Sequence, residues 1–181
     1  MSDEVMTGGA GMPDGWSRLW APHRTAYLTG ENRPMPDNDV RCPFCRIPTL
    51  SDEEGLIVAR AEHSYVVMNL YPYNAGHLLI VPFRHVADLT DLSEAERNEI
   101  LTLCAHSMKV LRKVSRAKGF NLGMNQGAIS GAGIPDHIHQ HVVPRWGGDA
   151  NFMPIIGQTR VLPTLLSTTR ADLAGAWNDV D

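Results

Sequence analysis

Lysine is scarce in this chain: Lys109, Lys113 and Lys118 are the only three among 181 residues, and all fall in one segment. The rest of the sixteen basic residues are arginine, and the formal net charge is -4. That balance excludes a surface built to coat nucleic acid. Cysteine is scarcer than a disulfide framework needs: there are three, an odd number, and two of them sit in the motif CPFC. Such usage fits a reducing compartment, so a cytoplasmic location is expected. No apolar run approaches the roughly 18–20 residues of a membrane span. The opening MSDEVMTGGAGMPDG has neither the basic start nor the apolar stretch of a signal peptide. What is present is a globular composition. With 43% apolar and 20% charged residues, the chain can bury a core and is not intrinsically disordered.

Residues 1–15 read as a flexible tail. Residues 16–41 mix aromatics, proline and charge without a period, and read as an N-terminal arm. The body, 42–181, starts at CPFC. Within it, Leu56–Arg60, Ser64–Leu70 and His77–Phe83 are β-rich runs separated by turn residues, which predicts an antiparallel meander. Ser93 with Glu96 forms a capping-box signature. Ile100, Leu101, Leu103, Cys104, Met108, Leu111 and Val114 then recur at helical spacing. Basic residues crowd the end of this segment and Gly119 supplies a stop, so a long helix is expected over about 93–117. Phe120–Gly127 and His137–Arg145 read as two more strands around a loop of small residues. Pro163 opens a C-terminal helical segment. The fold class is α+β: an antiparallel sheet with one long and one C-terminal helix.

Alternate residues of a strand share a face. In HIHQHVV this places His137, His139 and His141 on one side, successive imidazoles about 7 Å apart. Three imidazoles in register, beside a loop containing Ser130, Gly131, Ala132 and Gly133, form an array for chemistry rather than a core stripe. Two uses are open: a metal site, or nucleophilic attack on phosphorus through a phosphohistidine. Small residues nearby let backbone amides approach a phosphate, which suits the second. CPFC has the spacing of half a zinc site. Its other readings are buried free cysteines and a redox pair, and a redox pair lacks the βαβ setting it needs. Cys104 falls on the apolar face of the long helix and reads as core.

HIHQHVV, followed by PRW, resembles the signature of the histidine-triad (HIT) superfamily. YVVMNLYPYNAGHLLIVPFRH resembles the upstream strand pair of that family, and the likeness covers roughly residues 42–147. It departs at Gln140, where the family has an apolar residue. The resemblance implies a HIT-like fold and a set of roles. His139 matches the nucleophile that takes up a nucleoside monophosphate. His141 matches the residue that binds the transferring phosphate, His137 supports the array, and His77 contacts it in a His137–His77 relay. Asn69 matches a ribose contact and Asn125 a polar group near the α-phosphate. Metal-bearing members imply structural zinc on Cys42, Cys45, His85 and His137.

The loop narrows the branch. Many hydrolases of the family have alanine-glycine-glutamine before the triad, whereas Gly133 stands here at the glutamine position. With HVVPRWGGDANFMPIIGQTRVLP, this resembles the branch in which phosphate, not water, releases bound AMP from the enzyme. The implied function is a nucleotidyltransferase that cleaves a dinucleoside polyphosphate, diadenosine tetraphosphate foremost, with inorganic phosphate. A hydrolase or phosphoramidase on the same site, or a non-catalytic nucleotide-binding protein, are the alternatives. Ser130, Gly131 and Gly133 would offer the phosphate pocket. Trp146 would contact adenine or a neighbouring subunit, or act as a hydrophobic plug. A divalent cation on the nucleotide is compatible with this reading, and a homodimer or larger homo-oligomer is the expected assembly.

Overall fold

The Ser93 hydroxyl accepts the backbone N–H of Glu96 at 3.2 Å, and the Glu96 carboxylate accepts the N–H of Ser93 at 2.7 Å. This reciprocal cap starts the longest helix, α2 (Glu94–Ser115), of a computed structural model that describes residues 42–149 and 163–180. The flexible tail and arm expected at 1–15 and 16–41 lie outside the described residues.

Before α2 come a single helical turn, α1 (Pro43–Arg46), and three strands: β1 (Ile57–Arg60), β2 (Ser64–Met68) and β3 (Leu78–Pro82). After it come β4 (Gly119–Gly123), β5 (Gln140–Arg145) and the C-terminal α3 (Leu166–Gly175). The five strands form one antiparallel sheet in the order β1-β2-β3-β5-β4. The expected meander is β1-β2-β3, and β5 inserts between β3 and β4. No described helix is long and apolar enough to cross a membrane.

Strand alternation gives the sheet two different faces. On one, Val66, Met68, Leu78, Ile80 and Val142 pack under Ile100, Leu103, Val110 and Leu111 of α2 and Leu173 of α3. Each such aliphatic side chain stabilises by roughly 1.5–3 kcal/mol when fully buried. Cys104 lies in this core, where burial pushes its thiol up to about 11. On the other face, Ile57, Tyr65, Val67, Leu79 and Val81 pack against Cys42 and Phe44 of the α1 segment. His141 pairs with Leu79, so its side chain joins this second face. Gln140 pairs with Ile80 on the helix side, where its amide donates to the carbonyls of Gly123 and His141.

Three boundaries differ from expectation. Helix α2 ends at Ser115, and Arg116 caps it in a left-handed conformation (φ 56°), because Ala117 is buried and the Lys118 N–H bonds to the Arg145 carbonyl at 2.9 Å. Gly119 therefore opens β4 rather than stopping the helix. Strand β4 ends at Gly123 rather than Gly127, and its loop turns through Gly127 (φ 79°). Strand β5 begins at Gln140, not His137. Pairs run Leu78 with Val142 and Ile80 with Gln140, so Pro82 and Ile138 would come next. Pro82 has no N–H to give. Its carbonyl accepts the His137 ring at 2.9 Å, and the Ile138 N–H goes to Val86 at 2.7 Å.

Candidate active site

Four buried histidines, His77, His137, His139 and His141, divide into two groups. In the first, hydrogen-bond directions are set by backbone donors. The Tyr73 N–H donates to His77 Nδ1 at 3.0 Å. The Asn69 side chain accepts the Tyr71 N–H through Oδ1, which turns its amide nitrogen toward the same His77 Nδ1, 3.2 Å away. His77 Nδ1 is thus an acceptor, and its proton sits on Nε2. That Nε2–H donates to His141 Nδ1 at 2.9 Å, which places the His141 proton on Nε2. His141 Nε2 is buried and has no partner among the described residues. A buried donor without an acceptor is costly, and a phosphate oxygen would supply the missing partner. Burial, helped by the proximity of His139, lowers the His141 pKa to about 4, so the ring is neutral at pH 7.

His139 stands beside this pair, its ring 4.9 Å from that of His141. Its Nδ1–H donates to the His137 carbonyl at 2.9 Å. The lone pair therefore lies on Nε2. Burial lowers the pKa of this ring, partly offset by the bond to His137, so it is uncharged at neutral pH. Phe44 packs over it with ring centroids 4.8 Å apart.

His137 belongs to the second group. Its Nε2–H is engaged by Pro82, and its Nδ1 faces Cys42 Sγ at 3.4 Å and Cys45 Sγ at 3.5 Å. His85 Nδ1 lies 3.2 Å from Cys45 Sγ. The four ligand atoms all lie within 4.8 Å of one another. Ligands around a tetrahedral zinc stand about 3.3–3.8 Å apart, from bonds of about 2.0–2.3 Å, so the cluster fits a metal ion. The turn α1 presents both thiols: Pro43 starts it, the Cys42 carbonyl accepts from Cys45 and Arg46, and the Tyr65 hydroxyl donates to the Phe44 carbonyl at 2.8 Å.

The structure pairs His77 with His141, so the expected His137–His77 relay is replaced by a His77–His141 one. The reason is direction: the His137 ring points to the cysteines. Asn69 has its amide bonded at both ends, leaving one N–H and one lone pair for a ligand. Asn125 lies two residues beyond Gly123, which pairs with His141. The loop continues through Ser130 and Gly131 and re-enters the sheet region at His137, so it leaves and returns beside the triad. Ser130 is exposed, its hydroxyl donating to Gly127 at 2.7 Å, and Gly131 adopts φ 85°. Trp146 sits elsewhere: its indole N–H donates to the Ser115 carbonyl at the end of α2. Tyr73 and the His137 carbonyl were not legible as site groups, the first because it reads as a turn aromatic, the second because main chain carries no sequence signal.

Residues 51–148, more than half of the chain, match the HIT domain family. The chain belongs to the HIT family. Over 172 residues it is 48% identical to the AP-4-A phosphorylase of Mycobacterium tuberculosis, covering 93% of this chain and 88% of that relative. Two solved HIT structures share its fold. A Zn-bound histidine triad family protein from Mycobacterium smegmatis has a TM-score of 0.62 at 24% identity, covering 78% of this chain and 96% of that one. A histidine triad nucleotide-binding protein from Sulfolobus tokodaii has a TM-score of 0.63 at 22% identity, covering 76% and 93%.

Proposed function

We propose that this HIT protein is a nucleotidyltransferase that phosphorolyses dinucleoside polyphosphates, with diadenosine tetraphosphate as the leading substrate. The observation that carries this reading is the pairing of two buried imidazoles of defined tautomer. His139 offers a lone pair at Nε2, and His141 offers an N–H with no acceptor among the described residues. The similarity to the M. tuberculosis phosphorylase supports the substrate class and the use of phosphate.

In the first step His139 Nε2 attacks the α-phosphorus. A nitrogen–phosphorus bond forms, the bridging phosphorus–oxygen bond breaks, and ATP leaves with the electron pair. The ring becomes cationic, and its Nδ1–H on the His137 carbonyl stabilises that charge. The His141 Nε2–H donates to a phosphoryl oxygen as negative charge develops there. In the second step an oxygen of inorganic phosphate attacks the same phosphorus and expels His139, giving ADP. Ser130, Gly131 and Gly133 would hold that phosphate, and Asn69 and Asn125 the ribose and α-phosphate.

Cys42, Cys45, His85 and His137 would hold zinc, the ion whose structural sites use this donor set; bound there it would tie α1 to the segment that leads into β5. Assembly as a homodimer or larger is part of the reading, supported by the open edge of β4 with Leu122 exposed on it.

Incubation with diadenosine tetraphosphate, with and without phosphate, followed by chromatography, tests the proposal. ADP and ATP that form only when phosphate is added are expected. AMP formed equally well without phosphate would make the protein a hydrolase, and absence of turnover would leave a nucleotide-binding protein.

A further inference from the structure

Tyr73 lies on the loop between β2 and β3, a position to which the triad pattern assigns nothing. Its ring stacks on His141 with centroids 5.5 Å apart and planes at 15°, and lies 4.7 Å from the ring of His77. It is 47% exposed, so it covers the two imidazoles while meeting water itself. Its own N–H is one of the two donors that set the His77 tautomer.

The loop that carries Tyr73 is clamped. The Asn74 amide donates to Asp149 Oδ2 at 2.8 Å and to the Pro144 carbonyl at 3.1 Å. Asp149 is gripped by two nitrogens of Arg145 at 2.7 and 2.8 Å. The loop therefore hangs from the far end of β5, the strand that bears His141.

We propose that Tyr73 is a positioning residue, whose ring and main-chain N–H together hold the His77–His141 pair in one tautomer and one plane so that His141 Nε2–H stays aimed at the phosphate. The proposal rests on the phosphoryl-transfer reading for its kinetic consequence, but the tautomer exists in the free protein. Among the described residues, the rings facing His141 are those of His77, His139 and Tyr73 itself. With the ring removed, water reaches the pair, competes for His141 Nδ1 and solvates the charged form. The donor then loses its direction, and the ring charges at a higher pH.

The test compares the full-length wild type with Tyr73→Phe, Tyr73→Leu and Tyr73→Ala. Nitrogen-15 NMR of the imidazoles across pH, without nucleotide, reports the tautomer. Wild type and Tyr73→Phe are expected to show His141 protonated at Nε2 alone at neutral pH. In Tyr73→Ala its two nitrogens should give averaged signals, and its charging should move toward the ordinary histidine value. With diadenosine tetraphosphate and phosphate, kcat of Tyr73→Ala should fall roughly ten- to a hundredfold, less than deletion of a transition-state donor, while KM changes by less than about threefold. Tyr73→Leu, which keeps bulk over the two imidazoles without a stacking face, should fall between. Unchanged His141 signals in Tyr73→Ala overturn the proposal, as does a loss confined to KM, which would make Tyr73 a substrate contact. If the wild type turns over no dinucleotide, the function proposed above fails, and the NMR comparison still decides the role of Tyr73.

Discussion

The carbonyl of His137 accepts the Nδ1–H of His139 at 2.9 Å while the ring of the same His137 faces Cys42 and Cys45. One residue thus serves two groups, its main chain orienting the His139 ring and its side chain joining the cysteine cluster. Disturbance of the cluster has a short route to the His139 ring.

Replacing His139 with alanine removes the lone pair and leaves the tautomer of His141 in place. A fall in kcat of at least about a thousandfold is expected, as for deletion of other covalent nucleophiles. Acid-labile labelling of the wild type by α-32P-labelled dinucleotide, absent from His139→Ala, locates the intermediate. Ready turnover by the variant would place the attack on another group.

Metal binding should add to stability. A ligand at a hundred times its Kd stabilises a fold by about 2.7 kcal/mol, about 5–11 °C in Tm for a chain of this size. Cys42→Ser is expected to lose the metal measured by mass spectrometry and to melt lower by that order. Wild-type metal content and Tm in Cys42→Ser would show that the thiol is no ligand.

Acid should weaken the fold in two overlapping windows. His141 is held neutral, its pKa lowered from 6.5 to about 4 by burial and then by His139. The unfolded chain binds the proton more readily, so this contribution is present above pH 6.5 and is lost as pH falls toward 4. Glu96 is lowered from 4.5 to about 2, first by its bonds to Arg84 and also by those to Ser93. Its contribution is present above 4.5 and is lost as pH falls toward 2. Denaturant midpoints should therefore decline below pH 6.5 and keep declining below 4.5. In Glu96→Gln the lower window should flatten, and a profile flat from pH 7 to 3 in the wild type would contradict both assignments.

Gly76 turns the chain into β3 at φ 74°, and a Cβ there would stand 3.1 Å from Leu111 Cδ2. Gly76→Ala adds backbone strain and contact with α2, and is expected to cost about 1–3 kcal/mol in denaturant unfolding. A neutral effect would mean that Leu111 yields easily.

Most of the scaffold was legible because its signals are local. Ser93 and Glu96 announce a helix start, and the runs containing Val66 and Ile80 alternate or saturate with apolar side chains as sheet strands do. The α+β class and the convergence of the triad segment with CPFC followed from pattern and family likeness. What was hidden depends on distant neighbours. Arg116 ends α2 in a left-handed conformation because the next residues must reach β5, which no property of arginine announces. The partner of His77 was misassigned because spacing along a strand gives the face of His137 but not the direction in which its ring turns. Tyr73 acquires its place only when the loop is tied to Asp149.

Pro82 is the last residue of β3, and pairing with β5 halts there for want of one hydrogen atom. A single imino acid therefore acts as a zipper stop, dividing the rigid ladder, which holds His141, from the segment that carries His137 and His139. An amide at that place would let the zipper close by another tooth, drawing Ile138 into the sheet and taking the Pro82 oxygen from His137. The segment of His137 and His139 keeps its shape because its neighbour cannot finish knitting.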